Sequence, residues 1–494
     1  MQTRSIRRAA LAAPLALLCL GYALPAGAAP GAPAAPRFAI TDLGALADDV
    51  SVATAVNNAG TVVGSSNLHA FQWSRGVLTD LGALPGDANV SQANAVNDAG
   101  QIAGTSSRTS GGFGYTVRWT NGVIQDLGST NTFQLSFGNG IDPRGRVVGG
   151  QRAADSRDIH ATAWDGAGTA TGLGAGLVTA NGANARGQVV GGPAFVWQNG
   201  VATALAPLPG STGAEARAIN VAGQVVGWST VGTTGAVHGA LWRDAAATPT
   251  DLGTVDAIAF SQANAINAAG QVVGTADPQC VPCPSARAWL WEAGTITPLS
   301  NLIPAGSGWT VQRANGINDR GQIVGNGMHN GHLHAYLLTP RFSATVNFQP
   351  AGATVPVGYT ADAGAVFGAR AGGLSFGWNV DNAANARDRN AANSPDQRYD
   401  TLNHLQKPGG ATRWEIAVPA GRYAVHVVAG DPSNLDSTFR ISVEGVLAVS
   451  GSPTGARRWL EGTVIVTVTD GRLTIGNASG AVNNKLNYVD VIAV

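Results

Sequence analysis

The densest run of side chains able to bind or react lies in residues 381–403, a polar segment rich in Arg and Asp. It holds Arg387-Asp388-Arg389 and Asp396-Gln397-Arg398-Tyr399-Asp400. A guanidinium and a carboxylate can each grip a pair of hydroxyls, and an aromatic face stacks on the apolar side of a pyranose. Trp378, Arg389, Arg398, Tyr399 and Asp400 are therefore the expected carbohydrate contacts, joined by Asn484 from Asn483-Asn484-Lys485. A salt-bridged surface loop is the alternative for the same residues. Earlier in the chain, Trp228, Trp309, His329 and His332 stand outside the register of a repeat described below. They are the candidates for a second surface.

Other chemistries find less support. Cys280-Val281-Pro282-Cys283 has redox-motif spacing, but it interrupts an all-β repeat, and a local Cys280–Cys283 disulfide is the expected state. A glycosidase needs two carboxylates across a cleft, and no acidic pair stands out. A serine-nucleophile elbow and a calcium-ligand loop are also missing. No catalytic residue, cofactor or metal is assigned. The His residues in repeat register, one per unit, are read as strand-end packing, because singly they cannot converge on an ion.

Composition narrows the partners. Of 494 residues only 12% are charged, and Lys+Arg (30) equals Asp+Glu (30). This balance offers no basic face for nucleic acid. Residues 1–28 read as a secretory signal: Arg4, Arg7 and Arg8, then an apolar run, then Ala26-Gly27-Ala28, with cleavage expected after Ala28. No second long apolar stretch follows, so a transmembrane segment is not expected. The expected location is extracellular or periplasmic. Residues 29–38 are an Ala/Pro/Gly-rich lead-in.

The elements that must position these groups come from a repeat. Ala55-Val56-Asn57-Asn58-Ala59-Gly60-Thr61-Val62-Val63-Gly64 recurs at 95–104, 140–149, 182–191, 218–227, 265–274 and 316–325, seven copies in all. Successive turn glycines are 36 to 51 residues apart, close to the roughly 40–45 residues of a four-stranded propeller blade. Asn first and Gly fourth suit a tight turn between two strands. A third strand ends in Trp (73, 119, 164, 197, 242, 291), and a fourth carries Asp-Leu-Gly (80–82, 126–128, 251–253). One Trp per unit is expected to pack neighbouring blades. One further Asp-Leu-Gly, Asp42-Leu43-Gly44, precedes the first copy, and none follows the last. The fold expected for residues 39–339 is thus an all-β, seven-bladed β-propeller closed by its N-terminal strand. The loops of variable length share one face, which holds Trp228, Trp309, His329 and His332.

This repeat resembles the bacterial extracellular repeats named for a His-Ala-Phe triplet (HAF repeats). His69-Ala70-Phe71 matches in full, and His160, His238 and His334 hold the same slot. The resemblance implies export and no defined activity. Residues 344–494 show short alternating strands broken by Gly and Pro, as in a β-sandwich or jelly roll. Their landmarks, from 346–352 through 414–428 to 487–492, resemble malectin-like and galactose-binding-like domains. That resemblance implies a sugar-binding or accessory module. The expected function is non-catalytic binding of an extracellular glycan, mainly through the C-terminal module. A polysaccharide lyase or hydrolase with its site on the variable propeller face and an extracellular protein–protein scaffold are the alternatives, so enzymatic activity is left open. Oligomeric state is not assigned.

Overall fold

The computed structural model describes residues 37–494 except 48, 87, 110–113, 129–134, 153–157, 233–234, 278–285, 371–372 and 408–409. The expected signal segment and the Cys280–Cys283 disulfide lie outside the described residues. The chain is all-β and divides into two compact units between Arg341 and Phe342.

The first unit contains seven four-stranded antiparallel sheets. Six are consecutive, spanning 51–80, 90–126, 136–172, 179–204, 214–251 and 261–298. In the seventh, Trp309–Ile317, Ile323–His329 and His332–Pro340 are completed by Phe38–Asp42, which pairs antiparallel from Phe38 opposite Pro340 to Asp42 opposite Tyr336. The architecture is propeller-like.

The repeat positions have separate physical causes. Asn57 accepts at Oδ1 from the backbone N–H of Ala59 and Thr61 (3.1 and 2.9 Å), which shapes the turn that Gly60 closes at φ +84°. Its Nδ2 reaches out of the sheet to the carbonyl of Asn97 in the next (3.0 Å). The same amide donation runs Asn97 to Asp142, Asn184 to Asn220, Asn220 to Asn267 and Asn267 to Asn318. Asn318 then donates to the carbonyl of Asn57 at 2.8 Å, joining the last sheet to the first. Asp142 has no amide to give, and at that step Arg146 reaches the Gly187 carbonyl instead (3.1 Å). The glycine that ends each repeat sits opposite a β-bulge. A Cβ there would come within about 2 Å of a carbonyl on the neighbouring strand, 2.0 Å at Gly64 and 1.8 Å at Gly325.

Packing between sheets corrects the reading that one Trp per unit serves alike. Trp119, Trp164 and Trp242 are fully buried, whereas Trp73, Trp197 and Trp291 are only partly so. The residue two places earlier, opposite the bulge glycine, explains the split. Where it is Val117, Thr162 or Ala240, the Trp fills the space; where it is Phe71, Phe195 or Trp289, that ring is buried and the later Trp moves outward. The interface of last and first sheets has its own apolar cluster, with Leu43, Ala53, Phe71, Val324 and Leu337.

The second unit is a β-sandwich. A five-stranded sheet (Thr360–Asp362, Ser343–Phe348, Tyr488–Ala493, Gly421–Gly430, Trp459–Val468) faces a six-stranded one built around Ser375–Trp378, Trp414–Ala417, Arg472–Asn477 and Phe439–Val443. Val346, Val425, Val427 and Val491 pack against Phe376, Trp414, Ile441 and Ile475 in one core. Residues 381–403 are not an irregular loop. They form a one-turn 3-10 helix (Ala383–Asn385), a strand (Ala386–Asp388) and a short helix (Gln397–Asp400), and strand Thr401–His404 begins within them. The two strands join Lys485–Leu486 in a small three-stranded sheet.

Two substitutions separate these contributions. Trp119→Ala should cost about 3–5 kcal/mol by leaving a buried cavity, and Trp73→Ala clearly less; equal losses in denaturant unfolding would overturn the reciprocal packing. Asn318→Ala should cost roughly 1–3 kcal/mol by leaving buried partners unpaired, whereas Asp142→Asn should cost little.

Candidate functional site

The small sheet of the second unit gathers positive charge on one face. Register places His404 beside Lys485 and Arg387 beside Leu402, and alternation along the strands turns Arg387, His404 and Lys485 to the same side. Lys407 follows in the hairpin Gln406–Lys407 with Gly410–Ala411. The buried Lys485 ammonium is held by Asp436 (2.8 Å) and Asp431 (3.3 Å), and Asp431 also takes a two-pronged bond from Arg389 (3.1 and 2.6 Å). Among the described residues Arg387 donates only to the carbonyls of Ala384 and Ala386, and Lys407 has no carboxylate partner. Two half-buried cations thus lack a carboxylate partner among the described residues.

The electrostatics of the cluster follow. Burial, then Lys407 and Lys485, push the His404 imidazole down to about 4, although its bond to Asn483 (3.0 Å) opposes the shift. Burial and the charges of Arg387, Arg389 and Lys485 also lower Lys407. His404 is therefore neutral near pH 7, and the face is basic because of Arg387 and Lys407.

The sequence-chosen residues divide. Trp378 is fully buried in the sandwich core, so it cannot stack on a ligand; its indole N–H donates to Asp362 (2.8 Å), as does that of Trp414 (2.8 Å). Asn484 is equally buried, bonded to both backbone groups of Arg440 and to Asn477. Arg389 is committed to Asp431. Arg398 pairs with Asp396 (2.7 Å) and lies over the rings of Tyr359, Tyr399 and Tyr488 (5.7, 5.7 and 5.2 Å). The Tyr399 hydroxyl receives the Tyr488 hydroxyl proton at 2.8 Å. This aromatic cage is thus filled by the protein's own guanidinium. Asp400 accepts from Ala391 and Ser394 and faces Asp388, whose carboxyl is raised by burial and by that neighbour.

The first unit also departs from expectation. Trp228, Trp309, His329 and His332 lie on strands rather than loops, because the outer ends of these strands extend beyond the repeat. The Trp228 N–H donates to Glu215 (3.2 Å). Trp309 stacks flat on His329, ring centroids 4.5 Å apart and 5° from parallel. The register histidines are one per sheet, but off-register His329 joins register His334 at Asp42.

Sequence reasoning missed His404 and Lys407 as site residues. The available signal was the alternation of Arg387, His404 and Lys485, which becomes visible only once the three short strands are known to pair.

No protein-family model matches the chain, and neither does any curated protein. Among solved structures it is similar to a Bacillus subtilis protein (21% identity, 31% of this chain and 40% of that one, TM-score 0.23). It is also similar to a Bacteroides uniformis β-glucuronidase (16%, 35% and 22%, TM-score 0.21) and a Xanthomonas campestris gluconolactonase (10%, 61% and 89%, TM-score 0.33). The chain spans less than half the length of the first two. At these scores none lends its activity to this protein. Among the described residues no helix is long and apolar enough to cross a membrane.

The depressed His404 has a measurable consequence. A folded pKa below the unfolded value of 6.5 gives stability that is present above pH 6.5 and is lost as pH falls toward about 4. The melting temperature of the second unit should therefore fall across that window, and His404→Gln should flatten the fall; identical pH profiles would refute the assignment.

Proposed function

We propose that this is a secreted, non-catalytic glycan-binding protein. Its first unit is a seven-bladed propeller of HAF-type repeats closed by Phe38–Asp42, and its malectin-like second unit makes the carbohydrate contact. The amide relay returning from Asn318 to Asn57 supports the closed ring. The single observation carrying the functional reading is the basic pair Arg387 and Lys407, the first on the small sheet and the second in the hairpin that follows it, both lacking carboxylate partners among the described residues. Such a face favours a saccharide bearing carboxylates, with the guanidinium taking the acid group in two-pronged fashion. This moves the expected contact from Trp378, Arg389, Arg398, Tyr399, Asp400 and Asn484, which are occupied internally, to the neighbouring Arg387 and Lys407.

Affinity electrophoresis of the full chain tests the reading, with polygalacturonate as the acidic polymer and dextran as the neutral one. Polygalacturonate should retard the protein in a salt-sensitive way, and Arg387→Ala/Lys407→Ala should weaken the effect about tenfold or more. Absence of retardation in the wild type, or equal retardation of the variant, would sink the proposal.

A further inference from the structure

We propose that Asp42, His329 and His334 form a binding site for a divalent first-row transition ion that ties the first strand to the last sheet. Among the described residues these three are the one group of His, Cys, Asp or Glu whose ligand atoms all lie within 4.8 Å of one another. The Asp42 Oδ2 is 2.8 Å from His329 Nδ1 and 2.9 Å from His334 Nδ1. Around an ion bound at about 2.0–2.2 Å by nitrogen and oxygen, neighbouring donors stand roughly 3–3.5 Å apart. Small side-chain movements therefore bring the trio to coordination distances. Three protein ligands would leave a position open for water.

The protein carries its own controls. His69 meets Asp80 at 2.8 Å and His238 meets Asp251 at 3.0 Å, the same His–Asp pair in the first and fifth sheets. In each, as at Asp42, the carboxylate also caps the N–H of the glycine two residues on. Those sheets supply one imidazole per carboxylate. Among the described residues only the last sheet supplies two, because its strands continue past the repeat. Cross-strand register puts Trp309 opposite His329, His329 opposite His332 and Asp42 opposite Tyr336. With the alternation of side chains, all of these and His334 share one face.

The neighbours fix the donors. The flat stack of Trp309 sets the plane of the His329 ring, and Tyr336 holds Trp309 edge-on at 5.9 Å. The amide of Asn330 lies 3.4 Å from His329 Nε2. Turned over, it would accept the proton that Nε2 carries when Nδ1 binds an ion, a usual partner for a ligating histidine. His334 Nε2 is buried without a hydrogen-bond partner, so Nδ1 makes all of that ring's polar contacts. Imidazole and carboxylate donors together suit Zn²⁺, Ni²⁺, Co²⁺ or Cu²⁺. This inference does not depend on the glycan reading.

Zn²⁺ titration of the full, metal-stripped protein by calorimetry, with thermal melts in Zn²⁺ and in EDTA, is the test. The wild type should bind one Zn²⁺ with a micromolar or tighter dissociation constant, and saturating Zn²⁺ should raise the melting temperature by several degrees. His329→Ala retains the His334–Asp42 pair, like the intact first and fifth sheets, and should fold yet lose at least tenfold in affinity together with the thermal shift. His69→Ala should bind as the wild type does. Co²⁺ should give visible bands without thiolate charge transfer. Millimolar binding by the wild type, unchanged binding by His329→Ala, or thiolate bands pointing to Cys280 and Cys283 would each overturn the proposal.

Discussion

The first unit rests on one side-chain amide in six of its seven repeats. A turn asparagine spends its carbonyl oxygen on its own loop and its N–H on the carbonyl of the next sheet. The same group thus shapes a sheet and sets the distance to its neighbour. Both ends of that bond are buried, so its loss leaves unpaired polar atoms inside the protein. The bulge glycines serve the same end. By admitting a carbonyl where a Cβ would stand, they let the second strand of each sheet run close against the first.

Much of this was legible beforehand, because repetition multiplies weak signals. Asn, Gly and the Asp-Leu-Gly triplet recur at fixed offsets, and the unmatched triplet at Asp42 foretold the pairing with the last sheet. The division between Phe71 and Trp119 packing was not legible. It depends on the volumes of two positions facing the same bulge, and a pattern of single positions cannot express that. The long strands of the last sheet were missed for a related reason: past Gly325 the sequence leaves the repeat, and Asn330-Gly331 with its flanking histidines reads as easily as a loop.

The second unit was less transparent. Trp378 and Tyr399 are the residue types that bind sugars, yet their environments decide otherwise. Asp362, buried and held by two indole N–H groups, draws Trp378 inward. Arg398 fills the space between three tyrosines that a ligand would need. Such internal use of polar and aromatic groups comes from contacts between segments far apart in sequence. The basic face, by contrast, is defined by what is missing: among the described residues Arg387 and Lys407 lack the carboxylates that neutralise Arg389 and Lys485.

The borrowed outer strand imposes an order on assembly. Asp42 is separated from His334 by 292 residues. At ribosomal speeds of about 5–20 residues per second, roughly 15–60 seconds pass between their syntheses. Throughout that wait the leading segment has an unpaired hydrogen-bonding edge, and the growing row of sheets has two open ends. The last sheet can be completed only after its final hairpin exists, which leaves the leading strand of a newborn chain exposed to pairing with its siblings while the 292 residues up to His334 are made.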